Sequence, residues 1–348
     1  MLLRRANVVN GSAAAGRWTR KLLPLLIALA SFVPTLLADP PSPSEPQAPV
    51  NIETRQKKDS SYNVQSRPAD IKVTSTLVLI NVTVTDPLSR FVTGLDRENF
   101  RLFEDKKEQE ISAFSSEDAP ISIGLVFDTS GSMGAKLQKS REAATDFFQT
   151  ANPDDEFFLV RFNDRPELAV PFTTDTDKIQ SALTFTQSKG RTALLDGVYL
   201  SMNQMKKARH PRKALLIISD GGDNSSRYTE SEIKNAVREA DVQIYAIGIF
   251  ESAAARGRTP EEAMGPGLLN DLAEQTGGRA YAVENPAELP DIAAKIGVEL
   301  RNEYILGYTP KNQQRDGKYR RVQVRLVQPR GLPPLKAIFR LGYYAPSR

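Results

Sequence analysis

From residue 77 to 85 apolar side chains recur at alternate positions. Val78, Ile80, Val82 and Val84 alternate with Leu79, Asn81, Thr83 and Thr85, the period of a strand with one buried face. Asp86-Pro87 turns the chain, and 91–95, 100–104 and 110–114 read as further short strands. From Ile121 the pattern changes. Residues 121–127, 156–162, 214–219, 242–249 and 279–283 are apolar runs of strand length, and 168–172 reads as an edge hairpin. Helical periods separate them at 135–150, 175–183, 193–209, 229–240, 266–276 and 286–301; in the first, Leu137, Ala144, Phe147 and Phe148 share a face. After Arg301 the chain returns to strands at 303–308, 319–327 and 335–343, and no internal repeat is present.

Apolar strands alternating with amphipathic helices predict an α/β fold with a doubly wound, mostly parallel sheet covered on both faces. The β segments at 71–118 and 303–348 flank the α/β domain at 119–302. Each is too short for a stable sheet alone, so the two are expected to pair into one β-sandwich with the α/β domain inserted between. The helix at 286–301 opens on Asn285-Pro286, a cap and first-turn proline. It carries Leu289, Ile292, Ala293, Ile296 and Leu300 as a stripe, and runs straight into the next strand.

The N-terminus has its own composition. Residues 1–38 hold five basic residues and no acid, and 22–38 is an uncharged run of seventeen residues ending Leu36-Leu37-Ala38. A basic region, an apolar run and a small residue read as a secretory signal; an uncleaved membrane anchor is the alternative, weakened by Pro24 and Pro34. The chain is therefore expected to be exported, periplasmic or secreted. Residues 39–70 begin with five prolines in twelve positions and read as an extended polar linker.

The formal net charge of +4 is unevenly spread. Residues 301–348 hold eleven Lys and Arg against Glu303 and Asp316, or +9, and removal of 1–38 as well leaves −10 on 39–300. Nucleic-acid binding by the bulk of the chain is excluded on that ground. The absence of cysteine and the single histidine, His210, exclude disulfides, thiolate zinc sites and two-histidine metal sites.

Three segments carry candidate chemistry. The strand at 121–127 opens into Asp128-Thr129-Ser130-Gly131-Ser132, an Asp-x-Ser-x-Ser run. Gly190-Arg191-Thr192 precedes a helix, and Asp220-Gly221-Gly222 follows the apolar strand ending at Ser219. In a doubly wound sheet ligands bind beyond the carboxyl ends of strands, at the switch point. Three hydroxyls and two carboxylates on that rim are hard oxygen donors suited to Mg²⁺ or Mn²⁺.

These residues resemble the metal-ion-dependent adhesion site of von Willebrand factor type A domains, with Asp128, Ser130 and Ser132 matching its first loop, Thr192 its second and Asp220 its third. The flanks, among them Val92-Thr93-Gly94-Leu95 and Ile305-Leu306-Gly307-Tyr308, are similar to exported bacterial VWFA-related proteins. The resemblance implies a non-enzymatic adhesion or assembly module in which a partner protein supplies an Asp or Glu to the metal. It further implies direct ligation by Ser130 and Ser132, ligation by Thr192 directly or through water, and mainly water-bridged contacts from Asp128 and Asp220. It also implies coupling of ligand binding to a slide of the 286–301 helix, against which stands a static, packed helix.

Other readings remain beside it. A metal-dependent phosphohydrolase would use Asp128 as nucleophile, but Ser130 stands where a second carboxylate is needed. A structural envelope scaffold would use the metal only as a stabiliser. A serine hydrolase would need His210 as base, and His210 lies a strand length from Ser130, in a surface loop. Asp196 and Asp223-Asn224 lie near the rim, as groups orienting the metal ligands or as solvated side chains. Arg321 and Arg325 are expected to face outward, protecting a sheet edge or docking to an anionic envelope surface.

Overall fold

Strand β1 (Val78–Thr85) buries Ile80, Val82 and Val84, as its alternation requires. It is followed by β2 (Phe100–Glu104), β3 (Lys107–Gln109) and β4 (Ile111–Ser115). The structure, a computed structural model, describes residues 77–116, 118–250, 260–329 and 331–347. The leader and linker readings at 1–70 lie outside the described residues. No helix among the described residues is long and apolar enough to cross a membrane.

The α/β part runs β5 (Ile121–Asp128), α1 (Leu137–Gln149), β6 (Glu156–Phe162), β7 (Pro166–Thr173), α2 (Thr176–Thr184), α3 (Leu194–Met205) and β8 (Arg212–Ser219). It continues with α4 (Glu230–Glu239), β9 (Gln243–Ile249), α5 (Pro260–Glu274), β10 (Ala280–Val283) and α6 (Leu289–Arg301). The sheet order is β10-β9-β8-β5-β6-β7, parallel except for the edge strand β7. Every residue of β5 is buried, because apolar side chains leave both faces of the sheet. Ile123, Leu125 and Phe127 join Leu137, Phe147, Leu289 and Ile296 in one core; Val126 joins Leu194, Val198, Ile233 and Leu269 in the other. The doubly wound fold expected from the sequence is the observed one.

The chain then adds β11 (Tyr304–Tyr308), β12 (Tyr319–Leu326), β13 (Lys336–Phe339) and β14 (Gly342–Tyr344). These strands and β1–β4 build two antiparallel four-stranded sheets, ordered β13-β1-β11-β4 and β14-β12-β2-β3. Ile80, Val82, Phe100, Leu102, Tyr304, Leu306, Val322 and Val324 fill the space between them as one core. Strands from both ends of the chain thus share a sandwich.

Several elements differ from expectation. Residues 91–95 form no strand beyond a single bridge from Phe91 to Thr85. The Tyr304 hydroxyl takes over backbone groups there, donating to the Val92 carbonyl (2.9 Å) and accepting from the Leu95 N–H (3.0 Å). The expected strand 335–343 divides at Arg340-Leu341, and β13 and β14 enter different sheets. Helix α3 stops at Met205, short of Arg209, whose N–H and guanidinium turn onto the buried Glu156 carboxylate. Helix α5 begins before Pro266 and carries that proline inside it. Arg321 and Arg325 are exposed as expected, but β12 is an interior strand, so they protect no edge; Arg325 lies over the Phe103 ring.

Polar groups are also buried where α6 passes into β11. In the last turn of α6, Glu299 is buried beside Arg279, whose Nε is 3.1 Å from Oε1, and accepts from the Tyr281 hydroxyl (3.1 Å). Burial holds its carboxyl above the usual range, and the Glu303 charge adds to this against the pull of Arg279. The folded form therefore holds this proton more tightly than the unfolded chain. The resulting stabilisation is complete below the ordinary glutamate pKa and is lost as pH rises through the raised value. Thermal melts between about pH 4 and about pH 8 should show Glu299→Gln gaining on the wild type as the pH rises. Parallel profiles would contradict this.

Candidate metal centre

Strands β5 and β8 pair in parallel where the sheet order reverses, so Asp128 and Ser219-Asp220 leave the sheet side by side. Asp128 is fully buried. Its Oδ1 accepts the Ser130 N–H (2.8 Å) and its Oδ2 accepts the Ser219 hydroxyl (2.6 Å). The Ser130 and Ser132 hydroxyls share a hydrogen bond of 3.0 Å, Ser130 buried and Ser132 exposed. A 3-10 turn over Gly131–Lys136, anchored by buried Met133, leads into α1.

The second loop is stitched to the other two. The Gly131 N–H donates to the Gly190 carbonyl (3.0 Å), and the Lys189 N–H to the Thr129 carbonyl (2.9 Å). Thr192 is buried; its N–H donates to Asn224 Oδ1 (2.9 Å), and its carbonyl accepts the Asn224 and Ser225 N–H groups. Gly190 has φ +79°, and a Cβ there would fall 2.3 Å from the Asp164 carboxylate, so the loop requires glycine. In the third loop Asp220 is buried, with Oδ2 3.5 Å from Lys136 Nζ and Oδ1 lacking any hydrogen-bond partner. The five sequence-selected residues therefore lie on three mutually bonded loops along one rim.

The electrostatics are unbalanced. Burial, and then the Asp220 charge, push the Asp128 carboxyl up to about 7, against the hydrogen bonds from Ser130 and Ser219. A buried carboxylate oxygen without a partner is uncommon and costly. Among the described residues no cluster of three or more Asp, Glu or His side chains is placed to hold a metal. The rim instead offers two carboxylates with hydroxyls, and its unpartnered Asp220 oxygen fits a hard cation.

Three further contributors take their roles from the structure. Ser219 ties Asp128 to the third loop, and its signal is a hydroxyl ending the apolar run of β8. Asn224, expected near the rim, holds Thr192; Lys136 faces Asp220, and its position does not stand out in sequence. Asp196 is neither solvated nor at the rim chemistry. It is buried and accepts the Arg227 N–H (2.9 Å), the Arg227 Nε–H (3.0 Å) and the Tyr228 N–H (3.2 Å), fastening the loop before α4. Asp223 is half-buried and accepts from the Ser226 hydroxyl (2.6 Å), with burial raising its carboxyl. His210 sits among residues at the opposite ends of the strands, its N–H on Ser122 and its ring on the Asp154 carbonyl.

A rim of oxygen donors at the switch point of a doubly wound sheet defines an α/β domain built to bind at its carboxyl edge. Residues 123–222 match the family model of the von Willebrand factor type A domain, which places that domain in this chain. It is 26% identical over 184 residues to an uncharacterized protein of Borreliella burgdorferi, covering 47% of this chain and 54% of that one. It is also 26% identical over 134 residues to human (Homo sapiens) inter-alpha-trypsin inhibitor heavy chain H4, covering 35% of this chain and 14% of that protein. Among solved structures, a von Willebrand factor type A protein from Catenulispora acidiphila aligns with a TM-score of 0.43 at 12% identity, over 76% of this chain and 73% of that one. The chain thus spans about half the length of the first relative and a small part of the second.

Proposed function

We propose that the rim holds Mg²⁺ or Mn²⁺ and that the exported protein uses it to bind a partner protein through an Asp or Glu side chain. The observation that carries this is the buried Asp220 oxygen with no partner, set beside a second buried carboxylate. Ser130, Ser132 and Thr192 supply neutral oxygens. Asp128, with both oxygens engaged by Ser130 and Ser219, orients Ser130 and reaches the ion through water. Neutral ligands leave a bound ion electrophilic, and the ion then supplies an attachment point for the incoming carboxylate.

The reading is one of binding, not catalysis. Both oxygens of Asp128 accept hydrogen bonds, which leaves it poorly placed to act as a base or to attack phosphorus. Export rests on the leader-like segment at 1–38. The outward Arg321 and Arg325 are a second, weaker surface for an anionic envelope. Calorimetric titration with MgCl₂ and MnCl₂ should show binding to the wild type and none to the Asp128→Ala/Ser130→Ala double variant. Equal affinity in the two proteins would refute the site. An envelope crosslinking pull-down with Mg²⁺, against the same with chelator, should retain a partner only with metal.

A further inference from the structure

Lys136 is a basic side chain that faces the rim carboxylate of Asp220. Its amine lies 3.5 Å from Asp220 Oδ2, with the side chain 13% exposed and that of Asp220 4% exposed. Its position is otherwise an unfavourable one for a cation. It ends the 3-10 turn that feeds α1, near the positive end of that helix, where an ammonium is repelled by the helix dipole. The neighbouring Lys139, by contrast, is half-exposed and pairs with Glu142 along the helix. Among the described residues Asp220 is the single ion-pair partner of Lys136. A lysine held largely out of water, against the dipole, by one carboxylate of a proposed cation site requires an explanation.

We propose that Lys136 is a tethered cation that competes with the divalent ion for Asp220. In the metal-free protein its ammonium supplies part of the charge the rim lacks. The second oxygen, Oδ1, stays unpartnered, so the carboxylate remains open to a stronger cation. A divalent ion and an ammonium on the same buried carboxylate repel each other strongly where water screens little. Entry of the ion therefore drives the amine off Asp220, and the four-carbon stem of lysine gives it the reach to swing toward solvent. The affinity of the free protein for metal is thereby kept low, and a partner carboxylate that completes the ion's shell restores what the lysine removes. Metal and partner then bind as a pair, each raising the affinity for the other.

This inference rests on the metal-binding reading, and its test separates the two. The full chain is titrated calorimetrically with MgCl₂ and MnCl₂ as wild type, Lys136→Met and Lys136→Arg, and each is melted in chelator. Lys136→Met keeps the stem and removes the charge. It should bind Mg²⁺ about tenfold more tightly than the wild type. It should also melt at a lower temperature in chelator, because the rim has lost its internal cation. Lys136→Arg should stay near the wild type in both measurements. Equal or weaker metal binding by Lys136→Met, with the wild type still binding, overturns the competition and leaves the metal site standing. Failure of all three proteins to bind metal overturns both.

Discussion

Replacing Glu303 with alanine is expected to destabilise the protein by about 3–5 kcal/mol, the cost of removing one partner of a buried ion pair. Glu303 stands between α6 and β11, and its side chain is wholly buried. Its Oε2 accepts from Arg212 (3.0 Å) and Asn81 (3.1 Å), and its Oε1 from Gln243 (2.7 Å). Arg212 and Gln243 begin β8 and β9, while Asn81 lies on β1, so one carboxylate joins the α/β sheet to the sandwich. Arg212 is also held by the carbonyls of Ala119 and Leu300, which cannot neutralise it, and the partly exposed Asp118 lies 3.8 Å away, too distant to replace Glu303. Urea unfolding of the variant against the wild type measures the loss. A change under about 1 kcal/mol would mean that water replaces the carboxylate and that the junction is looser than its burial indicates.

Gly221→Ala is the second large effect. Gly221 has φ +75°, and a Cβ there would lie 2.8 Å from the Cα of Gly265 in α5, backbone against backbone. Strain in the left-handed region and the forced separation of loop and helix together should cost about 2–4 kcal/mol. The displacement falls on the residue after Asp220, so any stabilisation by Mg²⁺ at the proposed site should be lost in thermal melts as well. Gly94→Ala is the control. Its φ is +77°, but nothing lies within 4 Å of the added Cβ, so only the strain of about 1 kcal/mol remains and the Mg²⁺ response is kept. Equal behaviour of the two variants would show that the contact with α5 does not position the third loop.

The fold was legible where a local period decides it. Apolar strand runs and helical stripes such as Leu289, Ala293, Ile296 and Leu300 each state which face is buried. The failures share a cause, in that tertiary partners override the local pattern. Residues 91–95 alternate like a strand, yet the hydroxyl of Tyr304, far along the chain, takes their backbone groups. Residues 335–343 read as one strand because nothing local marks the passage from one sheet to the other. At the rim, Asp-x-Ser-x-Ser was legible because several oxygens fall within five residues. Lys136, Ser219 and Asn224 acquire meaning only when the loops meet. Glu303 counted in the sequence merely as one of two acids in a basic segment, and its role depends on Arg212, Gln243 and Asn81 converging on it.

The position of β1 has a consequence for how the chain is made. β1 lies between β11 and β13, pairing Val78 with Tyr308 and Val82 with Phe339, so its partners are synthesised only after the whole α/β domain. The intervening α/β strands pair largely with near neighbours in sequence, and contacts of short range form early. Ile80, Val82 and Val84 must therefore wait, as an apolar strand with two open edges, while the α/β domain is made. Chains cut short before β11 would carry that strand permanently exposed, ready to pair with one another. Synthesis of β11 and β13 is thus the step that covers both edges of β1.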